Sequence, residues 1–202
     1  MTVWNWRKEK RRLVVFALED EGIDSVKNLL LNLKALPVVY PGWYAVVFMR
    51  HNHWAKELVR SLGAMVCLEK NYSPMPFWRL FALQMNVDYV LLRDVNNIVN
   101  NKERVMVNEW MSSGMALHTM GKPRIGFMGA RGGLFTDMRR RVGMLIPQSN
   151  KNVSQGEFER FMRGVVFEPY KDDTYRHSHG IIKRVDCSLS SVMFGALDMR
   201  TV

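Results

Sequence analysis

Asp88-Tyr89-Val90-Leu91-Leu92-Arg93-Asp94-Val95-Asn96-Asn97 is the stretch on which the reading of this chain turns. Its apolar centre, Tyr89 to Leu92, predicts a strand over Asp88 to Arg93 buried on both faces, as in a parallel sheet. Asp94 follows at the carboxyl end, and Asn96 comes two residues later. In extended backbone residues two apart face the same way, so these two side chains can converge. A carboxylate with a second oxygen at the mouth of a buried strand can hold a hard divalent cation, which would bridge the oxygens of a diphosphate. The same residues also suit an Asx turn that simply ends the strand.

Upstream, strand and helix alternate at short spacing. Leu13 to Leu18 is a continuous apolar run and reads as a first strand. Ile23, Val26, Leu30 and Leu33 recur at helical spacing and predict a helix over Ile23 to Ala35. Tyr40-Pro41-Gly42-Trp43 is a turn, and Tyr44 to Met49 a second strand. Trp54, Leu58 and Leu62 form another helical stripe, stopped by Gly63. Ala64 to Leu68 is a third strand, Asn71 to Pro76 a loop, and Phe77 to Leu83 starts a helix. This order predicts an α/β protein with a mostly parallel sheet flanked by helices. In such sheets ligands bind beyond the carboxyl ends of the strands.

Downstream, Asn101 can cap a helix that ends at Gly114. Ala116 to Thr119 is a short strand, and Gly121 to Gly133 reads as a glycine-rich loop. Phe158, Phe161, Met162 and Val165 mark a late helix. The chain shows no internal repeat, low-complexity segment or clear linker, so residues 1–202 are expected to form a single domain.

Composition narrows the function class. The 202 residues are 48% hydrophobic, enough to build a core without disulfides. Lys and Arg exceed Asp and Glu by 29 to 19, a net charge of +10 that favours polyanionic partners such as nucleotides and diphosphates. The basic surface also admits peripheral membrane contact, but no nucleic-acid motif is present and no nucleic-acid partner is expected. No apolar run is long enough to cross a membrane, and the short run after Arg7-Lys8-Glu9-Lys10-Arg11-Arg12 stops at Glu19-Asp20-Glu21, unlike a signal peptide. A cytoplasmic, reducing setting is expected, with Cys67 a buried thiol and Cys187 too distant to share a metal spacing with it.

Several stretches together carry a resemblance. Phe77-Trp78-Arg79-Leu80, then Val87 to Asn97, then Glu103-Arg104, then Asn108-Glu109-Trp110-Met111-Ser112-Ser113-Gly114, then Leu117-His118-Thr119-Met120 occur in order. With Tyr40-Pro41-Gly42-Trp43 upstream and Lys171-Asp172-Asp173-Thr174 with His177 downstream, the chain resembles a family of GT-A-type glycosyltransferase-like proteins. Such proteins show a Phe-Trp-Arg-Phe run, an Arg-Asp-x-Asp-Ser strand end and a helix closing with Asn-Glu-Trp-x-x-Ser-Gly. The resemblance spans most of the chain.

The resemblance implies a GT-A fold, a nucleotide-diphospho-sugar donor such as a UDP-sugar, Mn²⁺ or Mg²⁺, and a glycan or glycoprotein hydroxyl as acceptor. By position Asp94 and Asn96 take the two carboxylate places of the Asp-x-Asp motif, and His177 that of a C-terminal metal or diphosphate ligand. Trp78 and Arg79 would lie near the nucleotide. Leu18, at the end of the first strand, and Arg93 join them as cofactor-binding candidates. Asp172, Asp173 and Asp137 are the carboxylates available as general base. The chain departs from the pattern at Asn96, which supplies no charge, and at Ser154-Gln155-Gly156-Glu157 and His177-Ser178-His179. These departures motivate an alternative, a GT-A-like domain that binds nucleotide or glycan without turnover.

Other residues have plainer readings. Gly126-Phe127-Met128-Gly129 and Arg131-Gly132-Gly133 form no P-loop, since no Gly-Lys-Ser/Thr follows. His51 and His53 read as surface residues at a helix start, and His118 as a core histidine. Arg139-Arg140-Arg141 reads as a solvated face, with an anionic acceptor or lipid headgroup as its functional alternative.

Overall fold

The computed structural model of the chain describes residues 11–18, 22–69, 75–120, 127–145 and 155–177. Seven strands make one sheet: β1 (Arg12–Leu18), β2 (Tyr44–Arg50), β3 (Met65–Glu69), β4 (Tyr89–Arg93), β5 (Leu117–Met120), β6 (Phe127–Arg131) and β7 (Thr174–His177). Their order across the sheet is β3-β2-β1-β4-β6-β5-β7. β1 pairs in parallel with β2 and β4, β2 with β3, and β5 with β7. β6 alone runs against its neighbours β4 and β5. The helices are α1 (Ile23–Val39), α2 (Lys56–Ser61), α3 (Asn101–Ser113), α4 (Met138–Leu145) and α5 (Gln155–Phe161). The sheet is mostly parallel and flanked by helices, as the alternation of strand and helix predicts.

Alternation along each central strand feeds two cores. Val15, Ala17, Phe48, Leu92 and Met128 face one side, against a 3-10 segment over Met75–Gln84 and helices α4 and α5. Val14, Phe16, Val47 and Leu91 face the other, against α1 and α3. Phe77 and Trp78, each 1% exposed, fill the first core, and burial of side chains this size stabilises by roughly 1.5–3 kcal/mol apiece. On α1, Val26, Leu29, Leu33 and Leu36 make the buried stripe.

The structure departs from the sequence reading in several places. α1 runs to Val39, past Ala35 and through Pro37. The proline falls in the last turn, where little helix remains to be disrupted, and Leu36 and Val39 are still buried. The cap of α3 is Asn100, not Asn101: its side chain accepts from the Glu103 amide at 3.0 Å. Gly114 ends that helix with φ 72°, a left-handed conformation that glycine adopts without a Cβ penalty. Phe77 to Leu83 is wound as 3-10 helix.

The largest correction concerns the expected glycine-rich loop, because its second part is strand β6. Gly129 sits mid-strand, where an added Cβ would lie 2.7 Å from the Trp110 ring. The glycine therefore marks close approach of an indole rather than a loop. Trp110 lies flat against His118, with ring centroids 5.2 Å apart and planes 12° apart, and its Nε1 donates to the Met115 carbonyl at 2.9 Å. His118 is buried in the core as expected. His53 is also buried, contrary to its surface reading, and its Nδ1 accepts from the Ala55 amide. Cys67 lies on edge strand β3 and is half-buried rather than fully enclosed; burial, then the nearby Glu69 carboxylate, pushes its thiol pKa up.

Candidate functional site

The chain leaves β1 for β2 and β3 on one side, then crosses back to lay β4 on the other. Strand order reverses between β1 and β4, and the crevice at the carboxyl ends of two such strands is where ligands bind in open α/β sheets. Leu18 ends β1 and Asp94 directly follows β4. Leu18 is fully buried, whereas Asp94 is half-buried just beyond the carboxyl end of β4.

Asp94 does form an Asx turn. Its Oδ1 accepts from the Asn96 amide at 3.0 Å, and its carbonyl accepts from the Asn97 amide at 3.2 Å. The other carboxylate oxygen has no hydrogen-bond partner among the described residues. The turn and the functional reading are thus compatible: one oxygen anchors the loop and the other is uncommitted among the described residues. Asn96 is exposed, and its Oδ1 accepts from Asn28 Nδ2 of α1 at 3.1 Å.

Arg93 points into the protein. Its Nη2 lies 2.7 Å from Glu103 Oε2 of α3, and both side chains are almost wholly buried. The guanidinium also sits over the Phe127 ring at 4.6 Å and donates to the Asn97 carbonyl at 3.3 Å. Tyr40 Oη donates to Glu103 Oε1 at 2.7 Å. Burial pushes the Glu103 carboxyl up to about 7, against the opposing pull of Arg93 and the Tyr40 hydrogen bond. Burial, followed by Glu103, raises the Tyr40 phenol above its ordinary value. Arg93 therefore braces the strand end from within instead of reaching into the crevice.

Arg79 acts on the same strand end from the opposite core. It is buried, and its Nη1 donates to the Arg93 carbonyl at 3.0 Å. Trp78 beside it is core.

Two of the three candidate bases lie away from Asp94, and the third is engaged by arginines. Asp173 Oδ1 accepts from the Ala116 amide at 2.9 Å, just before β5 and β7, which run parallel to β4. Asp172 and Asp173 therefore lie toward the amino-terminal edge of the sheet, away from Asp94. Asp137 is taken up by Arg141 Nε at 2.6 Å and Arg140 Nη2 at 3.1 Å. Hydrogen bonds from Arg141 and Arg140 hold its carboxyl below the usual range, which weakens it as a base. Arg139, the remaining arginine of the run, pairs with Glu69 and lies over the Phe81 ring at 4.1 Å. The basic run is thus a solvated face, as expected, with each arginine paired to a carboxylate.

His177 closes β7, but its side chain lies outside the described residues, as do Ser154, Ser178 and His179. Among the described residues no three His, Cys, Asp or Glu side chains converge in a way that would hold a metal ion. One open carboxylate oxygen and one amide oxygen suit a cation that arrives with phosphate and keeps most of its waters, the usual habit of Mg²⁺. They do not make a closed cage.

The Asn96–Asn28 contact, the Arg93–Glu103–Tyr40 network and the buried Asn32 of α1 were not singled out by sequence reasoning. Asn32 had a usable signal: an amide among Leu29, Leu33 and Leu36 on an apolar helix face must have a partner.

This architecture is a GT-A-like α/β fold, shared with solved structures of low sequence identity. A cytidylyltransferase from Leptospira borgpetersenii serovar Hardjo-bovis (strain JB197) superposes with a TM-score of 0.53 at 12% identity, covering 85% of this chain and 77% of that one. The glycosyltransferase GlyE of Streptococcus pneumoniae TIGR4 gives a TM-score of 0.54 at 16% identity, covering 93% of this chain and 50% of that one. The chain thus spans about half the length of the pneumococcal enzyme. No family model and no curated protein matches the sequence. Among the described residues no helix is long and apolar enough to cross a membrane.

Proposed function

We propose that the chain is a nucleotide-sugar-binding glycosyltransferase domain, a single unit over residues 1–202, that transfers a sugar from a nucleotide-diphosphate donor to a hydroxyl of a glycan or glycoprotein. The observation that carries the reading is the position of Asp94, with one carboxylate oxygen uncommitted beyond the carboxyl end of β4, next to β1 at the point where strand order reverses. Asp94, with Asn96 and His177, would hold Mn²⁺ or Mg²⁺. That cation supplies charge neutralisation for the departing diphosphate. Asp94 orients the phosphates, Leu18 excludes water beneath them, and Arg79 and Arg93 keep the strand end from yielding. The net charge of +10 raises the local concentration of an anionic donor.

A second reading has its own support. Asn96 supplies no charge and is already engaged by Asn28, and the carboxylates of Asp137 and Asp173 are committed elsewhere. Both facts favour a domain that binds nucleotide or glycan without turnover.

Thermal unfolding with Mn²⁺ and UDP- or GDP-sugars tests both. Ligand at a hundred times its dissociation constant stabilises by about 2.7 kcal/mol, which for a chain of this length is roughly 5–10 °C in Tm. A rise with sugar turnover supports the transferase, and a rise without turnover supports the binding domain. No rise with any donor rejects both.

A further inference from the structure

The apolar face of α1 carries two amides one turn apart, and both reach the loop that holds Asp94. Asn32 is fully buried. Its Nδ2 donates to the Val95 carbonyl at 2.9 Å and to the Asn28 carbonyl at 3.0 Å, while its Oδ1 accepts from the Val99 amide at 2.9 Å. One side chain therefore ties down both ends of the segment from Val95 to Val99. Asn28 lies four residues earlier on the same helical face, and its Nδ2 donates to Asn96 Oδ1 at 3.1 Å.

A buried asparagine among leucines is expensive unless its hydrogen bonds are made. Here both ends of the amide are used, and both long-range bonds go to the stretch that follows Asp94. The neighbouring carbonyls are held as well, Arg93 by Arg79 and Asn97 by Arg93. From 93 to 99 the loop is fixed by side chains of α1 and the 3-10 segment and by Arg93 itself, so no bound ligand is needed to shape it.

We propose that Asn32 and Asn28 are the positioning residues of the candidate cation–diphosphate site: they set the Asp94-Val95-Asn96 loop before the ligand arrives. This rests on the functional reading above. It goes beyond that reading by assigning the site's preorganisation to α1, which supplies none of its expected ligands. Affinity gained this way comes from ordering that binding does not have to provide. The Asn28 contact also holds the Asn96 side chain through its Oδ1.

The test is calorimetric titration of the full chain with UDP and with GDP in the presence of MnCl2, for the wild type, Asn28→Ala, Asn32→Ala, Asp94→Ala and Val142→Ala. Val142 is buried in the opposite core and reports on general loss of stability alone. Asn28→Ala should weaken nucleotide binding roughly three- to tenfold, the net worth of one hydrogen bond, and Asn32→Ala by at least about tenfold, because two buried backbone groups lose their partner. Val142→Ala should lower Tm and leave affinity unchanged. Where Asn32→Ala does not fold, Asn28→Ala at the half-buried rung decides the matter.

Binding that is lost in Asp94→Ala but kept at wild-type strength in both asparagine variants would overturn the positioning role and leave the site standing. An equal loss in Val142→Ala would reduce the effect to stability and overturn it as well. If the wild type binds neither nucleotide, the functional reading falls and takes this inference with it.

Discussion

The guanidinium of Arg93 and the carboxylate of Glu103 meet 2.7 Å apart with 4% and 0% of their side chains exposed. This pair joins the last residue of β4 to the first turn of α3, directly behind Asp94. Removing one partner leaves a buried charge without compensation, which typically costs about 3–5 kcal/mol. Glu103→Ala should lower stability by that amount in chemical denaturation, and it also strips Tyr40 of its acceptor. Glu103→Gln can keep the Tyr40 hydrogen bond and should lose less. Equal losses in the two variants would show that Tyr40 contributes nothing.

The same carboxyl should make stability depend on pH. Burial holds its folded value at about 7, above the ordinary 4.5 of a glutamate carboxyl. Between those values the folded state holds a proton that the unfolded state has released. This contribution is therefore fully present below pH 4.5 and is lost as pH rises toward and through 7. The difference across the window is on the order of 3 kcal/mol. Unfolding free energies measured from pH 4.5 to 8 should fall with rising pH in the wild type, and this slope should be absent in Glu103→Gln.

Two glycines should differ in their tolerance of alanine. At Gly132 an added Cβ would lie 1.6 Å from the Val87 carbonyl oxygen, which is backbone and cannot swing away. At Gly129 the obstacles are the Trp110 ring at 2.7 Å and a Leu91 methyl at 3.1 Å. Gly129→Ala should cost about 1–3 kcal/mol by overpacking. Gly132→Ala should cost more and give little soluble protein. Soluble yield and Tm of the two variants check the ranking.

Asn96→Asp restores a second carboxylate beside Asp94 and can still accept from Asn28 Nδ2. Mn²⁺ affinity, read by titration in the presence of a nucleoside diphosphate, should rise several-fold, and Asp94→Asn should lower it. An unchanged affinity in both variants would remove residues 94 and 96 from the metal site.

The strand–helix order up to Arg93 was legible because each element there is built from local signals. Continuous apolar runs gave β1, β2 and β4, and spacing by three and four gave α1 and the helix after Trp54, while α3 was marked by an asparagine cap and a closing glycine. Strand β6 was not legible, because Gly129 reads as loop until the Trp110 ring above it is known. β7 was equally hidden: four residues, Thr174–His177, paired to β5 across a gap of more than fifty positions. At the site, Asp94 could be picked out by its place after a buried strand. The partners of its loop could not, since Asn32, Arg79 and Glu103 reach it from three elements whose packing no periodicity encodes.

The antiparallel pairing of β4 with β6 is the seam that joins the two parts of the sheet, and Gly129 sets its alignment. Faces alternate along β6, so Phe127, Gly129 and Arg131 share a side while Met128 and Ala130 take the other. A slip by one residue would thrust the bulk of Met128 or the methyl of Ala130 under the indole of Trp110, where only a hydrogen fits. Misaligned docking of the second part onto the first is thereby blocked at one point. The strand end that carries Asp94 inherits its alignment from Gly129, two residues along β6 from Phe127, whose pairing with Arg93 closes the seam.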